Sequence, residues 1–66
     1  MNYDLSKREL QIVRLVALGL TNPTIGDTLN ISFATVKAHI TRICIKLKAN
    51  NRASIVYNAI KKGYKI

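Results

Sequence analysis

Residues 21–47 read TNPTIGDTLNISFATVKAHITRICIKL. The stretch divides into a short helix, a tight turn and a longer helix, the helix-turn-helix plan that can lay one helix in a DNA major groove. Thr21 can cap the first helix, and Pro23 falls in its first turn, where a missing N–H costs little. Ile25 and Leu29 share one face of that helix. Asn30 then interrupts, a residue type that tolerates the left-handed conformation in which many helices end. Ser32 is a second N-cap, with Ile31 and Val36 at the two positions of a hydrophobic staple.

The longer helix is two-sided. Val36, Ile40, Ile43 and Leu47 recur at helical spacing and form one apolar stripe. Roughly opposite lie Ala34, Lys37, Ala38, Thr41 and Ile45, with Arg42 and Lys48 toward the flanks. Small residues and one lysine suit a surface that must approach base edges closely. The same pattern also fits the merely solvated side of an amphipathic helix, and periodicity alone does not separate the two.

Charge does more to separate them. The chain has 66 residues and a net charge of +8, from 11 Lys+Arg against 3 Asp+Glu. Lys7, Arg8 and Arg14 are cancelled by Asp4, Glu9 and Asp27, whereas residues 28–66 carry Lys37, Arg42, Lys46, Lys48, Arg52, Lys61, Lys62 and Lys65 with no acid. The whole excess therefore lies from the turn onward. A one-sided basic field attracts a polyanion, of which nucleic acid is the commonest; an anionic membrane surface and an acidic protein are its rivals.

Length sets further bounds. The chain is read as one domain over residues 1–66, and a domain of this size buries only about 60% of its unfolded surface. A dimer interface is a natural source of extra stability. The single cysteine, Cys44, excludes an internal disulfide, borders the apolar stripe as a small hydrophobe and suits a reducing cytoplasm. Residues 1–20 lack a signal-peptide pattern, and no apolar run approaches the roughly 20 residues of a spanning helix. No metal cluster is visible, and His39 is a lone histidine expected to pack and hydrogen-bond near the helix junction. Paired acids, a nucleophile with its base and a phosphate loop are all missing, so neither catalysis nor a cofactor is expected.

Flanking segments complete four helices. Residues 1–4 read as a lead-in. Ser6-Lys7-Arg8-Glu9 has the spacing of a capping box, with Leu5 and Leu10 at staple positions. In the helix that follows, Leu10, Val13, Ala17 and Leu20 are read as one face, Ile12, Leu15 and Val16 as apolar on other sides, and Gly19 as the terminating residue. Gly26 inside the short helix is read as a place where two helices pass too closely for a side chain. After the polar break Lys48-Ala49-Asn50-Asn51, a last helix runs from about 52 to 62, with Ala53, Val56, Tyr57 and Ile60 on one face and Ile55 and Ala59 as a second apolar edge. That is more apolar surface than a small core needs, which favours pairing with a second copy. Gly63 ends this helix, ahead of Tyr64-Lys65-Ile66.

The residues Leu5-Ser6-x-Arg8-Glu9, Gly19-Leu20-Thr21-Asn22, Ile25, Leu29, Ile31-Ser32, Thr35-Val36-Lys37-x-His39, Ile43, Lys46-Leu47 and Arg52 resemble the LuxR/GerE-type helix-turn-helix domain, over about residues 5–63. The resemblance implies an all-α, four-helix, bacterial DNA-binding domain that regulates transcription, with its helix-turn-helix at about 22–41 and a dimerisation helix at about 52–62. With no receiver or sensor ahead of it, the chain looks like the free-standing, GerE-like type. Carried over by position, Lys37, Ala38 and Thr41 are expected to contact bases. Thr21, Thr35, Arg42 and Lys46 are expected to contact phosphates. Ile55, Val56, Ala59 and Ile60 are expected to form a homodimer interface. Promoter DNA is the implied partner, and RNA polymerase a possible further one. A small protein-interaction module gripping polymerase or another regulator is the alternative function.

Several positions depart from that family's pattern. Pro23 replaces a usual charge, Thr24 a usual glutamate, Gly26 a usual alanine, Ile45 a commonly basic residue and Lys48 a frequent glycine. Phe33, bulky at the opening of the long helix, either touches a thymine methyl or folds back on the core.

Overall fold

A computed structural model describes residues 4–66. The lead-in read at residues 1–4 lies outside the described residues except for Asp4. Four helices follow in order, α1 (Lys7–Ala17), α2 (Asn22–Leu29), α3 (Phe33–Leu47) and α4 (Arg52–Lys61), and the described residues contain no strand.

The helix ends form where the sequence signals them. The Ser6 side chain accepts from the Glu9 N–H, and the Glu9 carboxylate accepts from the Ser6 N–H at 2.8 Å, which closes the capping box of α1. Gly19 at φ +88° and Asn30 at φ 57° take the left-handed conformation after α1 and α2. Ser32 caps α3 by accepting from the Thr35 N–H, and Asn51 caps α4 by accepting from the Ser54 N–H. Thr21 precedes α2 without a side-chain bond to its backbone; its hydroxyl meets that of Thr24 at 3.0 Å instead.

Lys48 also takes the left-handed conformation, at φ 53°. An L side chain there is strained by about 1–2 kcal/mol, of which the looser unfolded chain of a glycine variant returns about 0.5–1 kcal/mol. Lys48→Gly is therefore expected to stabilise the fold by roughly 0.5–1 kcal/mol. A rise of several degrees in thermal midpoint checks this; an unchanged or lower midpoint counts against strain at the turn.

The core is built from one stripe of each helix: Ile12, Val13 and Val16 of α1, Ile25 of α2, Val36, Ile43 and Leu47 of α3, and Ile55 and Ala59 of α4. The α3 stripe is the expected one, with Ile40 half-buried at its margin. In α1 the stripe is rotated from the expected face. Ala17 is exposed, and the buried line runs through Glu9, Ile12, Val13 and Val16.

Helix α4 corrects the expected dimer residues. Ile55 is 1% exposed and Ala59 0%, both spent inside their own chain, so neither can meet a second copy. The outer face carries Ala53, Tyr57 and Ile60, with Val56 half-buried beside them. The reason is geometric: α4 has two apolar edges, and only packing against α1 and α3 decides which one closes the core.

Polar ties hold the helices in register. Arg52 at the start of α4 donates to the Asn22 side chain at 2.6 Å and to the Leu20 carbonyl at 2.5 Å, locking the α1–α2 link. Asn58 donates to the Leu47 carbonyl at 2.9 Å and so caps the end of α3. The C-terminal tail is fastened as well. Arg14 donates twice to the Lys65 carbonyl, at 3.1 and 2.9 Å, and the Tyr64 hydroxyl accepts from the Leu5 N–H at 2.8 Å.

Candidate nucleic-acid interface

The turn between α2 and α3 sets the angle at which α3 is presented. The Ile31 N–H donates to the Gly26 carbonyl at 2.9 Å, and Asn30 supplies the left-handed residue, so the chain reverses within a few residues. Gly26 is where this reversal is tightest. A Cβ there would stand 2.8 Å from the Ile31 carbonyl oxygen and 3.5 Å from a Val36 methyl. The expected close approach is real, but its nearest partner is the turn backbone rather than a neighbouring helix.

With Val36, Ile43 and Leu47 buried, the other side of α3 faces outward. Ala34, Lys37, Ala38, Thr41 and Ile45 are all exposed, on the stripe that the spacing assigned to them. The Lys37 ammonium lies 5.5 Å from the centroid of the Phe33 ring, one turn earlier. The Thr41 hydroxyl donates to the Lys37 carbonyl at 3.0 Å, which leaves its methyl and lone pairs for anything outside.

The expected phosphate-facing residues are placed unequally. Thr35 and Arg42, two turns apart, share one exposed flank of α3. The Thr35 hydroxyl meets that of Ser32 at 2.8 Å, and Thr21 is exposed at the start of α2. Arg42 donates to His39 Nδ1 at 3.2 Å, since a guanidinium has no acceptor. Burial, then the Arg42 charge, holds His39 below its ordinary pKa, so the ring is a neutral partner that orients Arg42. Lys46 departs from the expected phosphate role. Its ammonium forms an ion pair with Glu9 at 2.7 Å and donates to the Asp4 carbonyl at 3.1 Å, which spends the charge inside the fold.

Sequence reasoning left Arg52 and Asn22 without a role beyond the motif and gave none to Arg14 or Tyr64. Their partners are remote in sequence, and no local spacing announces them. Burial raises the Cys44 thiol above its ordinary pKa, which fits a packing role. Among the described residues no helix is long and apolar enough to cross a membrane.

A capped turn that holds a helix with its small and basic residues outward, on the half of the chain that lacks acids, defines a helix-turn-helix domain of the DNA-binding class. The comparisons with known proteins narrow this. The model of the family described as "Bacterial regulatory proteins, luxR family" matches residues 3–59, and the chain belongs to that family. It is 38% identical over 60 residues to the transcriptional regulatory protein DegU of Brevibacillus brevis, covering 91% of this chain and 25% of that protein. It is 52% identical over 49 residues to the transcriptional regulatory protein LiaR of Bacillus subtilis, covering 74% of this chain and 23% of that protein. Among solved structures, the response regulator ChrA of a heme-sensing two-component system is similar, with a TM-score of 0.89 and 35% identity over 94% of this chain and 31% of that one. The chain thus spans about a quarter of the length of these curated relatives.

Proposed function

We infer that this chain reads promoter DNA as a homodimer, with α3 in the major groove and α4 pairing the two copies. The observation that carries this is the exposed α3 stripe of Lys37, Ala38 and Thr41, set in a region from residue 28 onward that holds no acid. Lys37 reaches guanine N7 and O6, while Ala38 and the Thr41 methyl make apolar contacts. Thr21, Thr35 and Arg42 set the register on phosphates. Tyr57 and Ile60, 65% and 56% exposed, with Val56 beside them, form the pairing face of α4. Burying those side chains offsets the shortfall of a core this small.

Selection from a random duplex library, followed by footprinting, tests the reading. The expected result is a two-fold consensus with half-sites about 10 bp apart or a multiple of that turn. Lys37→Ala is expected to cost about 1–3 kcal/mol on the selected duplex and to relax the choice at one base. Equal affinity of the variant and the parent for selected and random duplexes would sink the proposal. A stable complex with polymerase that excludes DNA would favour a protein-interaction module instead.

A further inference from the structure

Phe33 is the first residue of α3, yet its side chain is 51% exposed and stands outside the core cluster. Of the two places the sequence left open for it, the ring takes the outward one. There it carries the Lys37 ammonium at 5.5 Å from its centroid. The acids of the chain are Asp4, Glu9 and Asp27, so the segment around Lys37 offers that cation no carboxylate, and the ring is its near neighbour. A ring and a cation one turn apart on the same face attract each other and so favour one shared arrangement.

The rest of the face has one chemical character. Thr41 is exposed and gives its proton to the Lys37 carbonyl, and Ala34, Ala38 and Ile45 add only carbon. One cation therefore stands among apolar groups. In the major groove guanine presents two acceptors suited to a cation, and thymine alone among the four bases presents a methyl. A ring fixed beside the cation meets whatever base pair neighbours the guanine, and an apolar ring is best matched there by a methyl. We propose that Phe33 is a base-contacting residue, packing on the 5-methyl of a thymine next to the guanine that Lys37 reads. The inference rests on α3 entering the major groove.

Deoxyuridine scanning of the selected duplex tests it, using the full chain. Replacing thymine by uracil removes one methyl and leaves the hydrogen-bonding edges unchanged. The expected result is one thymine in each half-site, beside a guanine, whose methyl is worth about fourfold in affinity, the effect of burying one such group. Phe33→Ala should bind the thymine duplex more weakly and lose the penalty for uracil at that position, while Phe33→Leu should keep part of it. The parent chain answers the first question without any variant, and thermal melting shows that each variant is folded. Uniform tolerance of uracil by the parent overturns the proposal, as does a penalty that persists in folded Phe33→Ala. Failure of the parent to prefer the selected duplex over random DNA is a different result, which removes the groove-reading role itself.

Discussion

Replacing Glu9 by alanine is expected to destabilise the domain by about 2–3 kcal/mol. Glu9 is 3% exposed and lies at the N-terminal end of the buried line of α1. Its carboxylate accepts from the Ser6 N–H at 2.8 Å and from the Lys46 ammonium at 2.7 Å. Alanine leaves the Ser6 N–H without its acceptor, leaves the ammonium only the Asp4 carbonyl, and opens a void among the α1 side chains. Truncating one partner of a fully buried pair typically costs about 3–5 kcal/mol. The Lys46 side chain is 24% exposed and can swing toward water, which moderates the loss. Domains of this size are stable by only a few kcal/mol, so the variant should be partly unfolded at moderate temperature. Urea denaturation measures it, and a change under about 0.5 kcal/mol would show that the pair is ornamental. Glu9→Gln keeps the shape and an acceptor and should lose less.

The same carboxylate gives stability a pH dependence with a definite sign. Burial raises its pKa, but the hydrogen bonds and charge of Lys46 together with the Ser6 N–H outweigh burial and hold it below the ordinary value. The folded state thus binds this proton less tightly than the unfolded state. The contribution is full above the unfolded glutamate value, about 4.3, and is lost as pH falls through the lower folded value. Glu9→Gln should flatten that acid limb, and an unchanged limb would place the proton elsewhere.

Gly26→Val is the second large expected effect, at about 3 kcal/mol of lost stability. The Cβ alone would stand 2.8 Å from the Ile31 carbonyl oxygen, and the added methyls press on Val36, which is 0% exposed. The carbonyl cannot simply rotate away, because Ile31 is tied back to Gly26 through its own N–H and follows the left-handed Asn30. Relief has to come from opening the α2–α3 turn, which changes how α3 is presented. DNA affinity should therefore fall even at temperatures where the variant remains folded. Alanine at the same place brings the same Cβ against the same backbone oxygen, so about 1 kcal/mol of helix propensity only partly offsets the shift of the turn, and it should be destabilising too, by less than valine. If valine proved as stable as glycine, the turn would have slack that its geometry does not show.

These residues also mark how far the sequence could be read. Caps, turns and the α3 stripe follow local rules, and Ser6, Glu9, Asn30, Ser32 and Asn51 act within a turn of where they stand. Glu9 has a second role that its neighbours do not reveal. A buried glutamate at the head of an apolar line is charge-balanced by Lys46, 37 residues away. For the same reason Lys46 looked like a free surface cation. In α4 both apolar edges satisfy helical periodicity, and the choice between Ile55 with Ala59 and Tyr57 with Ile60 is made by α1 and α3. The outward stripe of α3 was legible, because burying Val36, Ile43 and Leu47 leaves the opposite side no other place to go.

Where the backbone enters and where it leaves has its own outcome. Leu5 is bonded to Tyr64, Arg14 to Lys65, and Asp4 to Lys46 near the last turn of α3. Asp4 and Leu5 therefore lie at the Lys46 end of α3, separated from Ser32 by nearly the full length of that helix, about 20 Å. The tail instead runs on along α1 and leaves Ile66 beside Ala17 and Leu18. Cargo spliced ahead of Asp4 hangs from the Lys46 end like a weight on a handle, away from the tip that opens α3, whereas cargo spliced after Ile66 starts beside Val56 and Ile60 and would crowd the outer side of α4.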